Sequence, residues 1–370
     1  MGALTTIGLM SGTSLDGIDV ALIQTDGEKI TYFGPSAFYA YDGSERDVLR
    51  SALKDAERIS TRDDRPGVLA DAEAVVTQSH ERAVRAFMTA HNLKASDIDA
   101  IGFHGQTVLH RPENQLTVQI GNGAALATAL AMPVVYDFRA QDVAAGGQGA
   151  PLVPVFHRAL VEASDLEKPV AIVNIGGVAN ITLIDAQGEV SSFDTGPGNA
   201  LIDDWVNEKA GLAFDVDGNL AACGAIDEEL MEKLLSHPFF MQKPPKSLDR
   251  NWFTYDIVEH LPLADGAATL TAFTVRSILR ALDYANFRPT CWIISGGGAQ
   301  NLEIRRQLAE LSGIDVKIAD EFGWSSTFME AQAFAFLAAR SLRNLPLSFP
   351  TTTGVPMPMT GGIVAKPLAA

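Results

Sequence analysis

The stretch Gly8-Leu9-Met10-Ser11-Gly12-Thr13-Ser14-Leu15-Asp16-Gly17-Ile18-Asp19-Val20-Ala21-Leu22-Ile23 sets two apolar runs around a polar, glycine-bearing turn. Runs of this length and composition, at 6–10 and 18–23, predict two strands. Asp26-Gly27 is a hairpin signal, and Ile30-Thr31-Tyr32-Phe33 reads as a third strand. The second half of the chain repeats this meander. A strand at 170–174 meets the turn Ile175-Gly176-Gly177, a strand covers 178–184, Gln187-Gly188 turns the chain, and a third strand covers 190–193. An offset of 161 residues lays Asp19-Val20-Ala21-Leu22-Ile23 on Asn180-Ile181-Thr182-Leu183-Ile184, and Gly27-Glu28 on Gly188-Glu189. Self-similarity at that distance predicts a duplicated unit.

Outward from the two meanders the pattern alternates. Helices are expected over 44–58, 66–91, 122–131, 199–210, 226–236, 265–285, 301–312 and 327–343, the last rich in Ala and Phe. Short strands are expected over 100–103, 116–120, 134–136, 291–294 and 316–319. Such alternation predicts α/β architecture with parallel or mixed sheets. Residues 137–154 hold Gly146, Gly147, Gly149, Pro151 and Pro154, and read as a loop passing between domains. The expected division is 1–145 and 146–345, with the tail 346–370 wrapping the surface and partly joining the first domain.

At 370 residues, 47% of them hydrophobic, the chain has enough apolar material for two cores. Its 28 basic against 45 acidic residues give a net charge of −17, which disfavours nucleic acid and anionic membrane as partners. Cys223 and Cys291 form no CxxC, so a reducing compartment is the expectation. The start, Met1-Gly2-Ala3-Leu4-Thr5-Thr6, shows no signal-peptide pattern, and a cytoplasmic location is expected. No P-loop, dinucleotide fingerprint, HExxH or GxSxG motif is present.

Four glycine turns each follow an expected strand: 11–17, 175–177, 194–198 and 295–298. Glycine lets main-chain N–H groups approach a ligand with no side chain between, which suits phosphate. Asp194 stands between an expected strand and an expected helix. It reads as a general base, a holder of metal or water, or a helix cap, although Asn199 is the better placed cap. Asp16 and Asp19 could orient water on Mg²⁺ or stabilise the turn. Ser11, Thr13 and Ser14 could bind phosphate or satisfy the turn. His104, Gln106 and Thr107 form a polar strand end suited to a hydroxyl-rich ligand. Arg139 could grip a carboxylate or make an interdomain ion pair. Glu330 stands near a helix start, where the helix dipole favours it.

The 8–19 stretch resembles the opening motif of the anhydro-N-acetylmuramic acid kinases. So do Gly102-Phe103-His104-Gly105-Gln106-Thr107, Val118-Gln119-Ile120-Gly121-Asn122 and Asp137-Phe138-Arg139. The same holds for 142–154, Asn174-Ile175-Gly176-Gly177, Phe193-Asp194-Thr195-Gly196-Pro197-Gly198-Asn199 and Ser295-Gly296-Gly297-Gly298. The resemblance implies a two-lobed actin-like ATPase (ribonuclease H-like) fold with a duplicated mixed sheet and an interdomain cleft. It implies ATP with Mg²⁺, phosphorylation of 1,6-anhydro-N-acetylmuramic acid at O6 with hydrolytic opening of the anhydro bridge, and N-acetylmuramic acid 6-phosphate as product. That reaction belongs to peptidoglycan recycling. Asp194 matches the family's general base. Gly12, Thr13, Ser14, Leu15, Asp16, Gly17, Ile18, Asp19, Gly176, Gly177, Gly196, Gly296, Gly297 and Gly298 match its nucleotide loops. His104, Gln106, Thr107, Arg139 and Glu330 fall near the sugar. No residue is assigned as a direct metal ligand, and a homodimer is expected. The rival expectations are a sugar kinase of the same fold acting on a free hydroxyl, and a non-catalytic nucleotide-binding protein.

Overall fold

The computed structural model describes residues 2–12, 14–248 and 252–367. The chain divides into two compact units, one of Met1–Ala163 with Glu330–Ala370, the other of Ser164–Met329.

The first unit opens with β1 (Leu4–Met10), β2 (Gly17–Thr25) and β3 (Ile30–Ala40), an antiparallel meander. Helix α1 (Gly43–Asp55) follows, and its start is fixed by a reciprocal capping box between Asp42 and Glu45. Then come α2 (Leu69–Ala90) and β4 (Ala100–Phe103), which runs parallel to β1. Strands β5 (Gln106–Arg111) and β6 (Leu116–Ile120) form a separate hairpin. Helix α3 (Gly123–Leu130), strand β7 (Val134–Tyr136) parallel to β4, and helices α4 (Ala140–Ala144) and α5 (Pro154–Glu162) complete this passage.

The second unit repeats the plan. Strands β8 (Val170–Ile175), β9 (Val178–Ile184) and β10 (Val190–Pro197) make the meander. Helices α6 (Ala200–Ala210), α7 (Asn219–Cys223), α8 (Glu228–Leu235) and α9 (Leu263–Arg280) lead to β11 (Cys291–Ser295), parallel to β8. Helix α10 (Leu302–Ser312) and β12 (Asp315–Ile318), parallel to β11, close the sheet. The chain then returns to the first unit with α11 (Met329–Leu342) and β13 (Ile363–Ala365), the latter antiparallel to β7.

The sheet orders are β13-β7-β4-β1-β2-β3 and β10-β9-β8-β11-β12. From the third meander strand inward, both run third, second, first, then two parallel strands, with the same polarities. The duplication read from the 161-residue offset is therefore a duplication of topology. In the first core, Ile7, Leu9, Val20 and Phe103 cluster with Val76, Val84 and Phe87 of α2. In the second, Val173, Ile181, Trp292 and Ile294 cluster with Leu270, Phe273 and Ile278 of α9 and Trp205 of α6.

Three expectations are corrected. The unit boundary falls at 163/164 rather than 145/146, and α11 joins the first unit rather than the second. The physical reason is α11 itself. Its main chain lies so close to β1 and β4 that only glycine fits: a Cβ on Gly8 would meet Ala331 O at 1.8 Å, and one on Gly102 would meet Phe334 O at 2.1 Å. Phe156 of α5 packs against Phe336 of α11, with ring centroids 5.5 Å apart, which holds α5 in the same unit. The stretch 137–154 is not all loop, because it contains α4, and Pro154 starts α5 at the position where proline suits a helix. The tail does more than wrap, since β13 extends the sheet.

Gly102→Ala is expected to destabilise the protein by about 1–3 kcal/mol through overpacking against α11. Gly43→Ala, where an added Cβ meets nothing within 4 Å, is the control and should stay within about 0.5 kcal/mol. Urea denaturation of both variants checks this, and equal midpoints would remove the close-approach explanation.

Candidate active site

In the first unit the turn 11–17 joins β1 to β2. Ser11 Oγ donates to Gly105 O (3.2 Å) and Gln106 Nε2 donates to Gly12 O (3.1 Å), which ties this turn to the β4–β5 turn. Ser14 Oγ and Gly17 N both donate to Asp16 Oδ1, at 2.7 and 2.9 Å. Asp16 therefore stabilises the turn, one of the two roles open to it in the sequence. Leu15 adopts φ +55°, and both Leu15 and Ile18 bury their side chains in the core. Thr13 lies outside the described residues.

Asp19 points from β2 into a part-buried position, and its pKa is pushed up to about 7 by burial, then by Asp16 and by Glu330. Glu330 occupies the first turn of α11. Burial raises its pKa, and the Arg139 guanidinium opposes that rise. Three carboxylates thus influence one locality, and burial outweighs the opposing charge of Arg139 at Glu330. His104 is buried, with Nδ1 2.7 Å from Gly105 O. Arg139 Nε and Nη2 approach His104 Nε2 at 3.2 and 3.0 Å. A guanidinium can only donate, so Nε2 accepts and Nδ1 carries the proton. Burial, followed by Arg139, holds the His104 pKa well below its ordinary value, so the ring is neutral. Arg139 Nη1 also donates to Gly149 O (2.8 Å). His104 and Gly149 both belong to the same unit as Arg139. Thr107 Oγ1 accepts from Gln119 Nε2 at 3.4 Å.

In the second unit three glycine turns converge. Gly198 N donates to Gly177 O (2.9 Å), Asn199 N to Gly176 O (2.7 Å), and Asn199 Nδ2 to Ile175 O (3.1 Å). Gly296 N donates to Ser326 O (3.1 Å). The glycines differ in what surrounds them. A Cβ on Gly198 would meet Gly176 O at 2.2 Å, on Gly296 Asn174 Oδ1 at 2.4 Å, on Gly298 Ile175 Cγ2 at 2.4 Å, and on Gly196 Ser277 Cβ at 2.7 Å. At Gly176 and Gly177 the nearest atoms are at 3.6 Å, and at Gly297 the nearest is at 3.3 Å. Gly12 of the first unit is equally open, with its nearest atom at 3.7 Å. The first group is glycine because protein atoms fill the space. In the second group a Cβ would make ordinary contacts at Gly12, Gly176 and Gly177 and a tight one at Gly297, so close packing alone does not demand glycine there, and bare main chain at such turns suits a phosphate cradle.

Asp194 does not end its strand, as the sequence suggested. Strand β10 continues to Pro197, and Asp194 sits at a bulge against β9. The bulge re-aims the chain without ending the pairing. Leu248 N donates to Asp194 Oδ2 (2.7 Å), and Asp194 N donates to Lys246 O (3.0 Å). Asn199 precedes α6, but its side chain makes no cap bond and holds Ile175 O instead. Sequence reasoning missed Lys246 and Leu248. The signal was the Pro244-Pro245-Lys246 run following the aromatic pair Phe239-Phe240. Among the described residues, no group of three or more His, Cys, Asp or Glu side chains is arranged to hold a metal ion directly.

A family model described as anhydro-N-acetylmuramic acid kinase matches residues 4–366. A curated relative with that description, from Methylobacterium nodulans, is 57% identical over 374 residues, covering 98% of this chain and 100% of its own. Relatives of the same description from Bradyrhizobium diazoefficiens and Nitrobacter winogradskyi are 55% and 53% identical over 365 residues, each covering 98% of this chain and 100% of their own.

The raised Asp19 pKa has a stability consequence. Between pH 4 and pH 7 the folded state holds a proton on Asp19 that the unfolded chain has released, so this group's contribution falls as pH rises through that window. Asp19→Asn is expected to be more stable than the parent at neutral pH, with the difference shrinking toward pH 4. Denaturant midpoints across that range check it, and a pH-independent difference would sink it.

Proposed function

The chain belongs to the anhydro-N-acetylmuramic acid kinase family, and on that premise we propose that Asp194 is the general base of its reaction. The activity is ATP-dependent phosphorylation of 1,6-anhydro-N-acetylmuramic acid at O6 with opening of the anhydro bridge, in cell-wall recycling. O6 is locked in the bridge and carries no proton to remove. Water must attack C1 as the C1–O6 bond breaks, O6 forms the new bond to the γ-phosphorus, and ADP leaves. Asp194 takes the proton from that water. The observation that carries this reading is the carboxylate at the β10 bulge, oriented by the Leu248 N–H and standing beside the converging glycine turns.

Gly12, Gly176, Gly177 and Gly297 are the main-chain positions open enough to meet phosphate oxygens. Gly17, Gly196, Gly296 and Gly298 shape the turns that present them. The locality around Asp19, Asp16 and Glu330 fits Mg²⁺ held through its waters, since a cation would relieve the charge that burial disfavours. Mg²⁺ would supply charge neutralisation on the phosphoryl group. Near the sugar we place Thr107 and Arg139, with the buried His104 and Gln106 behind them: the neutral imidazole and Gly149 O fix the guanidinium, and Gln106 holds Gly12 O.

No helix among the described residues is long and apolar enough to cross a membrane. A cytoplasmic location follows from the need for ATP. A homodimer is part of this proposal. Leu212, Phe214 and Val216, each 44–55% exposed, offer an apolar stretch that a second copy could cover.

Turnover in ¹⁸O-water is expected to place the label at C1 of the phosphorylated product. Label-free product would instead indicate a kinase acting on a free hydroxyl. Asp194→Asn should lower kcat by roughly 10²–10⁴-fold while leaving ATP binding near the parent value. Full activity in that variant would exclude the assignment.

A further inference from the structure

Lys246 is 6% exposed, and among the described residues its ammonium has no carboxylate within ion-pair distance. Nζ donates to Phe239 O (3.1 Å) and lies 4.2 Å from the Phe239 ring centroid, 5.4 Å from that of Tyr284 and 5.9 Å from that of Phe240. These rings are themselves fixed. Phe239 and Phe240 meet edge to face, with centroids 5.3 Å apart. The Tyr284 hydroxyl lies within hydrogen-bond distance of Phe240 O (3.2 Å) and Gln242 O (3.0 Å), and so braces the same segment. Phe193, the residue before Asp194, packs edge-on against Tyr284 at 5.8 Å. The cage therefore touches β10 directly.

The ring faces attract the ammonium, but they offset only part of what its burial costs. Leucine or methionine would fill it without the desolvation penalty. What the cation adds is a fixed positive charge near Asp194 and a fixed main chain around it. We propose that Lys246 is a positioning residue for Asp194: its caged ammonium anchors the segment whose main chain grips that carboxylate residue from two sides, through Lys246 O and Leu248 N. The proposal rests on the reading of Asp194 as the general base.

The charged and titratable groups around the ammonium are Asp194 from β10, Arg280 from α9, and Asp283 and Tyr284 from the turn after α9. A cavity of about 230 Å³, lined by Phe193, Thr195, Ser277, Arg280 and Tyr284, reaches Lys246 and gives solvent a path to it. Burial, then Arg280, lowers the Lys246 pKa to about 8, against a smaller opposing effect of Asp194. The ammonium therefore loses its proton in mild alkali. The same charge favours the ionised form of its carboxylate neighbour.

The test compares the full-length enzyme with Lys246→Met and Lys246→Arg, measuring kcat, both KM values, the pH–rate profile and the melting temperature. Lys246→Met is expected to lose roughly 10- to 100-fold in kcat through misplacement of the base, with KM for ATP within about twofold of the parent. Its acid limb should move to higher pH, and an alkaline limb near pH 8 should vanish. Lys246→Arg should restore most of kcat and carry the alkaline limb beyond the accessible range. A lowered melting temperature with an unmoved profile in Lys246→Met would overturn the proposal, because a purely structural role predicts that result. If Lys246→Met does not fold, Lys246→Arg decides alone, and a retained alkaline limb overturns the proposal. Asp194→Asn is assayed in parallel. Full activity there brings down the general-base reading itself, whereas an inactive Asp194→Asn beside an unaltered Lys246→Met brings down only the role of Lys246.

Discussion

Strands β1 and β8 each take an antiparallel neighbour on one flank and a parallel neighbour on the other. That double pairing decides which turns share an edge of each sheet. A parallel neighbour ends on the same edge, and so does the strand two antiparallel steps away. The turn after β1 therefore meets the turn after β4, as the Ser11–Gly105 and Gln106–Gly12 bonds record. The start of β2 also meets the end of β3, where Tyr41 N donates to Asp16 O at 2.9 Å. In the second unit the turns after β8, β10 and β11 gather for the same reason. Loops at the carboxyl ends of parallel strands are where an open α/β sheet leaves room for ligand.

Glycine at such an edge serves two purposes that sequence cannot separate. Gly198, Gly296 and Gly298 are enforced by neighbouring protein atoms, and any side chain there would collide with main chain or with Ile175. Gly176 and Gly177 face no such obstacle, and Gly297 only the Asn199 side-chain nitrogen at 3.3 Å. The first set lets the turns pack together. The second keeps main chain bare where they have packed. Gly8 and Gly102 show a third use, away from any ligand edge: they admit the backbone of α11 against the sheet. A glycine-rich motif is thus partly a folding requirement.

Much of this was legible from local signals. The meanders, their duplication and most helix cores follow from apolar periodicity, and β4, β6, β7 and β9 have the extents expected of them. What escaped was set by distant partners. Strand β13 exists because β7 presents an open edge, which three residues of a Pro- and Gly-rich tail could not announce. The unit boundary moved because α11 fits β1 and β4, a match of surfaces far apart in the chain. The Asp194 bulge depends on β9, and the grip of Leu248 on Asp194 spans a long insertion with weak periodicity. Asn199 had the composition of a cap, but the nearby Ile175 carbonyl took its side chain. The candidate residues were readable as chemical types, but which of them pack, which form turns and which leave main chain uncovered needed coordinates.

The two repeats also diverged in a way that electrostatics explains. Asp19 on β2 and Asn180 on β9 are equivalent by the 161-residue offset. Across the meander, Asp19 stands opposite Phe38 of β3, while Asn180 stands opposite Asp194 of β10. Two carboxylates placed directly opposite on neighbouring strands would repel at short range. Each repeat therefore keeps one acid per cross-strand pair, on the second strand in the first unit and on the third strand in the second. The acid on β2 is surrounded by other carboxylates and by burial, which hold its proton into the neutral range. The acid on β10 has a main-chain donor at its carboxylate and a caged ammonium nearby, an environment that favours its charge. One duplicated scaffold thus supplies two carboxylate environments of opposite character. The environment that favours charge is the one expected of the proposed base, and the one that disfavours it is the one a cation would relieve if Mg²⁺ binds as proposed.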